Sequence, residues 1–112
     1  MSIFTGDVGV KLELEFRDYE IVNGVPADVG PLNITGATEI TFTFSKPDDW
    51  TETKLLSTTK VVISDGPNGK AHYLTEASFL DLSGSWQRSG KVELPGGTFS
   101  SEIVSFTVKK PL

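Results

Sequence analysis

The 112-residue sequence contains no cysteine, one histidine and no long apolar run. Without thiols it can form neither a disulfide scaffold nor a cysteine-based zinc site, so we expect apolar burial and sheet hydrogen bonds to hold the fold. Since nowhere do about 18 apolar residues follow one another, we expect no membrane contact. The N-terminal residues MSIFTGDVG lack the basic and apolar regions of a signal peptide, which predicts a soluble product that stays in the cytoplasm where it is made.

An excess of basic charge is also missing. The net charge of −5 comes from 15 acidic and 10 basic residues, and no basic stripe interleaved with aromatics is present. Because a phosphate backbone would be repelled overall, we do not expect nucleic acid as a partner.

What the chain does contain is glycine, proline and alternating apolar residues. The 11 glycines and 6 prolines, with many Thr, Val and Phe, favour strands and tight turns. The strongest signal is the stretch ITFTF from Ile40 to Phe44, in which every second side chain is large and apolar, as in a half-buried strand. The same periodicity predicts these core residues: Phe16, Ile40, Phe42, Phe44, Trp86, Val104, Phe106 and Val108.

Turn signals divide the rest of the chain. Asn23-Gly24 predicts a tight hairpin after a short strand over residues 19–22. Two prolines and Gly30 predict a loop or edge segment over residues 25–32. Residues 75–82 form the one segment that suggests a helix, about two turns long. Arg88 shares the inward parity of its strand, which predicts a bend or bulge there. Seven to nine short strands in one domain predict an all-β antiparallel sandwich over residues 7–112, preceded by a flexible arm over residues 1–6.

Catalytic and metal-binding motifs are not apparent. His72 has no identifiable nucleophile or orienting partner, so we expect a structural or surface role and no enzymatic activity. Aspartates in predicted turns cap backbone N–H groups, and no calcium-loop pattern accompanies them. We therefore predict no catalytic residue, no metal and no cofactor. Trp50 follows a proline corner among charged residues and is interpreted either as a contact residue or as a rim residue that closes one end of the core.

Several short motifs occur in an order that resembles a known family. They are Asp7-Val8-Gly9, Ile34-Thr35-Gly36-Ala37-Thr38, Phe42-Thr43-Phe44-Ser45-Lys46-Pro47-Asp48, Asp65-Gly66 with Gly69-Lys70 and Tyr73, Gly84-Ser85-Trp86, Gly97-Thr98-Phe99-Ser100-Ser101-Glu102, and Phe106-Thr107-Val108. This order resembles the small immunoglobulin-like domain of tailed-bacteriophage virion proteins, including the N-terminal domain of baseplate upper proteins, over almost the whole chain.

The resemblance implies a single immunoglobulin-like β-sandwich in the virion that docks onto other virion proteins, in multiple copies, as a head-decoration or tail and baseplate accessory subunit. We expect Phe4, Asp7, Trp50 and Tyr73 to lie at the interface. An alternative hypothesis is a carbohydrate-binding or host-adhesion module, which would use Trp50 and Tyr73 to bind a host surface glycan.

Overall fold

The computed structural model describes residues 2–58 and 60–111, and these residues form strands and turns with no helix. Accordingly, this part of the chain has no helix suited to crossing a membrane. The strands are β1 (Ile3–Phe4), β2 (Lys11–Glu15), β3 (Arg17–Val22), β4 (Val25–Pro31), β5 (Glu39–Ser45), β6 (Thr51–Leu55), β7 (Val61–Asp65), β8 (Lys70–Leu74), β9 (Gly84–Leu94), β10 (Gly97–Ser100) and β11 (Val104–Lys109).

The described strands belong to three sheets. The largest has the order β1-β11-β9-β5-β6, with β10 pairing the remaining length of β9, and the second has the order β2-β8-β7. Strands β3 and β4 form a separate two-stranded hairpin. All pairings are antiparallel except that of β1 with β11. The prediction of an all-β protein is confirmed, whereas the predicted count of seven to nine strands is too low for the eleven strands of the described residues, which include β1 and β4.

One hydrophobic core lies between the two larger sheets. Its buried side chains come from β2, β7 and β8 on one side, from β5, β9 and β11 on the other, and from connecting segments such as those that contain Phe16 and Leu80. Phe16, Ile40, Phe42, Phe44 and Trp86 are fully buried.

The last strand departs from its predicted pattern at one end. Val108 is buried and Phe106 packs partly buried against the core, but Val104 is 36% exposed. Val104 has the inward parity of Phe106 and Val108, yet it begins β11 and lines an open cleft. The prediction of Val104 as a core residue is therefore wrong, because its side chain lies at the open cleft beside the start of this strand.

The long strand β9 passes Arg88, where a bend or bulge is predicted, without a shift in register. It pairs with β5 continuously from Gln87 to Glu93. The bulge predicted as one alternative at Arg88 is therefore absent, and the Arg88 side chain lies between the sheets. Its Nε donates to the backbone oxygen of Glu13 at 3.0 Å, and its guanidinium lies 5.2 Å from the centre of the Phe106 ring.

Two other predicted segments differ in the structure. Residues 75–82 are turns, since Ser78 has a φ of +68°, which no right-handed helix accepts. Phe79 and Leu80 nevertheless close one end of the core, where both are buried. Within the predicted arm, Ile3 and Phe4 pair with Val108 and Lys109, while Met1 lies outside the described residues. The flexibility of the arm stays a prediction.

Candidate functional site: a projecting hairpin

The hairpin β3–β4 is built by a turn that the sequence predicts. Asn23 and Gly24 have φ angles of 52° and 78°, and Val22 pairs directly with Val25 across them. Two successive positive φ angles give the turn the twist that matches antiparallel strands, and Asn-Gly adopts them at low cost. The hairpin predicted at Asn23-Gly24 is confirmed.

The strand β4 runs where the sequence predicts a loop or an edge segment. Pro26 and Pro31 are tolerated because each strand of a two-stranded ribbon has a free edge, so a missing N–H need not interrupt a ladder. An irregularity opposite Asp18 and Tyr19 leaves Val29 unpaired. Of the two alternatives predicted for residues 25–32, the edge segment is therefore confirmed over most of the segment and the loop is wrong.

Apolar side chains at the hairpin tip are uncovered on both faces. Ile21 is 70% exposed and Val22 is 50% exposed, although successive strand residues point to opposite faces. Val25 beside them is 62% exposed. No other element of the described chain covers either face, so the tip projects from the body of the molecule. Closely spaced exposed apolar residues of this kind are typical of interaction surfaces.

The base of the hairpin is fixed to the body by backbone hydrogen bonds. The Phe16 N–H donates to the Gly69 oxygen at 2.7 Å, and the Leu32 N–H donates to the Phe16 oxygen at 2.9 Å. Gly69 lies so close that a Cβ there would be 2.3 Å from the Phe16 oxygen and 2.6 Å from the Leu32 oxygen. This site therefore requires glycine, and the hairpin leaves the body from a defined position.

An ion-pair network joins the two strands near the base. Arg17 donates through Nε and Nη2 to the two oxygens of Asp28, each at 3.1 Å, and through Nη1 to Glu15 at 2.6 Å. The Gly30 N–H also donates to Asp28, at 2.8 Å. The hydrogen bond from Arg17 is the main cause that lowers the pKa of the Asp28 carboxyl, and the bond from Gly30 lowers it further. The bonds to Asp28 and Glu15 raise the pKa of Arg17. Both side chains therefore stay charged at neutral pH.

A cleft of about 310 Å³ lies where the hairpin leaves the body. Leu14 and Val104 give it apolar walls, and Tyr19 borders it from β3. Glu102 adds a further carboxylate to those of the network described above. The cleft is open and partly charged, and it continues the exposed surface of the hairpin.

The other predicted interface residues lie apart from the hairpin. Asp7 accepts the Phe4 N–H at 3.0 Å through Oδ2, so its carboxylate stabilises the turn after β1. Phe4 is half-buried beside β11. Trp50 is 66% exposed, in the β5–β6 turn, where its N–H donates to Asp48 at 3.1 Å. Thus Trp50 is accessible, and Phe4 and Asp7 are partly so.

Tyr73 is not accessible. It is 0% exposed and has the inward parity of Ala71 on β8, the central strand of its sheet. Its hydroxyl donates to Glu76 at 3.0 Å, and Lys60 donates to the same carboxylate at 2.8 Å. Burial is the main cause that raises the pKa of Tyr73, and the hydrogen bond to Glu76 raises it further. The expectation that Tyr73 lies at an interface or stacks on a sugar is wrong for the folded chain.

His72 lies on the outer face of the same strand, between Glu13 and Val62. Burial and the nearby charge of Lys11 lower its pKa. Within residues 2–58 and 60–111, its Nδ1 has no hydrogen-bond partner, and no group of three or more His, Asp and Glu is placed to hold a metal ion. The surroundings of His72 therefore show no arrangement for acid–base or metal chemistry.

Sequence patterns alone do not reveal that the hairpin projects. The signal that could have shown it is the pair Ile21-Val22 before the turn and Val25 after it, which places apolar residues on both faces of a short ribbon. Comparison of the chain with protein-family models, curated proteins and solved structures finds no match. Fold and site together define an all-β protein with an exposed apolar hairpin.

Proposed function

We propose that this protein is a non-enzymatic structural component of a tailed-phage virion, a head-decoration or tail and baseplate accessory subunit that docks onto other virion proteins. It is made in the host cytoplasm and assembles in multiple copies, without a cofactor, nucleic acid or membrane contact. Two supports are the motif order given above and the packing of two sheets around one core, which fits an immunoglobulin-like sandwich.

The observation that carries the proposal is the uncovered hairpin tip. Complete burial of an aliphatic side chain is worth about 1.5 to 3 kcal/mol, so covering the exposed parts of Ile21, Val22 and Val25 would contribute roughly 4 kcal/mol. That energy corresponds to about a thousandfold in affinity. Contacts of this size are weak singly and become effective when many copies bind a symmetric particle.

Replacing the tip residues tests this function. The variant I21T/V22T/V25T keeps β-branched side chains, and therefore strand preference, while it removes apolar surface. The matched control V8T/V62T/I103T makes the same chemical changes at exposed positions of the body, which are 64%, 47% and 66% exposed. We expect the tip variant to fold but to be at least tenfold depleted from purified particles, as counted by quantitative mass spectrometry, and the control to be incorporated normally. Normal incorporation of both variants would refute docking through the tip.

A carbohydrate-binding or host-adhesion module is the second candidate, and the exposure of Trp50 favours it. A sugar that stacks on this ring would change tryptophan fluorescence, whereas buried Trp86 would not respond. We expect a true glycan ligand to give a saturable change that W50F abolishes. A flat titration across a broad panel of host surface glycans would exclude this candidate.

A further inference from the structure

We propose that one face of the hairpin binds a surface of another virion protein in which lysines or arginines border an apolar groove. This inference rests on the proposed function and adds the chemistry of the partner. It starts from the distribution of charge along β3. Asp18, Glu20 and Val22 alternate on one face of the ribbon, whereas Arg17, Tyr19 and Ile21 lie on the other.

The two faces differ in how their charges are balanced. On the Arg17 face, the guanidinium is already paired with Asp28 and Glu15. On the opposite face, the carboxylates of Asp18 and Glu20 make no hydrogen bond or ion pair with any described residue. The side chains across from them are small, since Asp18 pairs with Gly30 and Glu20 pairs with Ala27. Both carboxylates are therefore open to an incoming cation.

The same face ends in apolar surface. Val22 and Val25 pair at the tip, 50% and 62% exposed, directly beyond Glu20. A partner that covers this face must bury two valines and place positive charge two to four residues nearer to the base of the hairpin, opposite Glu20 and Asp18. At about 3.3 Å per strand residue, the cations lie roughly 7 Å (Glu20) and roughly 13 Å (Asp18) from the apolar contact. We name Asp18, Glu20, Val22 and Val25 the acidic face.

Charge selects another protein over a second copy of this chain. Each copy has a net charge of −5, so two copies repel each other overall. A groove bordered by lysine or arginine complements both the apolar tip and the carboxylates. Because Glu20 is exposed and Asp18 is partly exposed, the attraction will be screened by salt and will act largely on the rate of association.

Rebinding to particles tests the acidic face. Virions from which the protein has been stripped are incubated with D18N/E20Q, or with the control D49N/E93Q, which changes the net charge equally from −5 to −3. Asp49 lies in the turn between β5 and β6, and Glu93 lies on β9; both are exposed and are away from the hairpin. We expect D18N/E20Q to bind about tenfold more weakly at low salt and to lose most of the salt dependence, while the control binds as the wild type does. Equal binding of D18N/E20Q and the control would overturn the inference.

Zero-length crosslinking identifies the occupant directly. Carbodiimide joins a carboxylate to a lysine in contact with it, so intact particles should yield crosslinks from Asp18 or Glu20 to a lysine of another protein. Crosslinks to a second copy of this chain, or none from these two residues while other carboxylates react, would overturn the inference. If the wild-type protein is present in the particles, either of these crosslinking results leaves the proposed virion function standing. Absence of the protein from particles would refute both the virion function and the binding through the acidic face.

Discussion

Replacing Gly69 by alanine should loosen the junction between the hairpin and the body. Gly69 has a φ of +72°, and an added Cβ would lie 2.3 Å and 2.6 Å from the carbonyl oxygens of Phe16 and Leu32. Neither oxygen can yield without moving backbone. The Phe16 carbonyl also accepts the hydrogen bond from Leu32, and the Gly69 carbonyl accepts the one from Phe16. One added methyl group therefore strains two strands and two hydrogen bonds.

The loss in free energy of unfolding of G69A is the sum of three contributions. A residue with a side chain in the left-handed region costs about 1 kcal/mol, and each weakened backbone hydrogen bond costs about 1 kcal/mol. The free energy of unfolding of G69A should therefore be lower by about 3 kcal/mol. With a urea dependence of about 1.5 kcal/mol/M, the unfolding midpoint falls by about 2 M. Intrinsic fluorescence, in which buried Trp86 reports on the core, measures the transition.

Two glycine controls separate the contributions. Gly24 has a φ of +78° but open space around a Cβ, so G24A should show the conformational cost alone, a midpoint lower by about 0.7 M. Gly36 has open space and no positive φ, so G36A should leave the midpoint nearly unchanged. If G69A proves no more destabilising than G24A, the close approach of the two carbonyls does not constrain this position and the reasoning is refuted.

Three further outcomes follow from the same structure. V108A should lower the free energy of unfolding by about 2 kcal/mol and V104A by less than about 0.5 kcal/mol, because only Val108 is buried. Urea unfolding of the two variants measures the difference, and equal losses would contradict the prediction. Because the pKa of His72 is lowered in the folded chain, the unfolded chain binds a proton more readily, and the free energy of unfolding should fall as pH drops below the unfolded value of 6.5. H72Q should reduce this pH dependence of stability, as measured by urea unfolding at several pH values. An unchanged dependence in H72Q would exclude His72 as its source. W50F should keep the wild-type urea midpoint to within about 0.3 M, since the ring is mostly exposed, and a larger loss would show that Trp50 supports the fold.

Local patterns predict much of this fold. The alternation around Ile40, Phe42 and Phe44 identifies β5 and its buried face, because the period of a strand is a local property of the chain. Asn23-Gly24 likewise determines its own turn. Local patterns do not predict the environment of Arg88, since its inward parity is accommodated by a carbonyl on the opposite sheet and not by a bulge. That acceptor belongs to Glu13, 75 residues away in sequence, and no local pattern contains it.

Accessibility of the candidate site residues is predicted less well, for a related reason. Tyr73 follows a histidine and Trp50 follows an aspartate, yet Tyr73 is buried and Trp50 is exposed. The difference arises because β8 is the central strand of its sheet while Trp50 lies in a turn. Position within a sheet depends on pairing between distant segments. The exposure of the hairpin has the same origin, since it reflects the absence of a third strand beside β3 and β4 in the described chain.

A hairpin that buries none of the core should be removable. All the fully buried large side chains lie outside residues 18–30. The segments before and after the hairpin are joined by the backbone hydrogen bond from the Leu32 N–H to the Phe16 oxygen. Replacing 18–30 by a short Gly-Asn-Gly turn should therefore change the free energy of unfolding by less than about 2 kcal/mol, because the shorter loop offsets part of what the lost strand pairing contributed. The shortened protein should keep the wild-type urea dependence and yet fail to enter particles. A shortened protein that does not fold would show that β3 and β4 belong to the stability of the body, whereas one that folds and still assembles would show that the docking surface lies elsewhere.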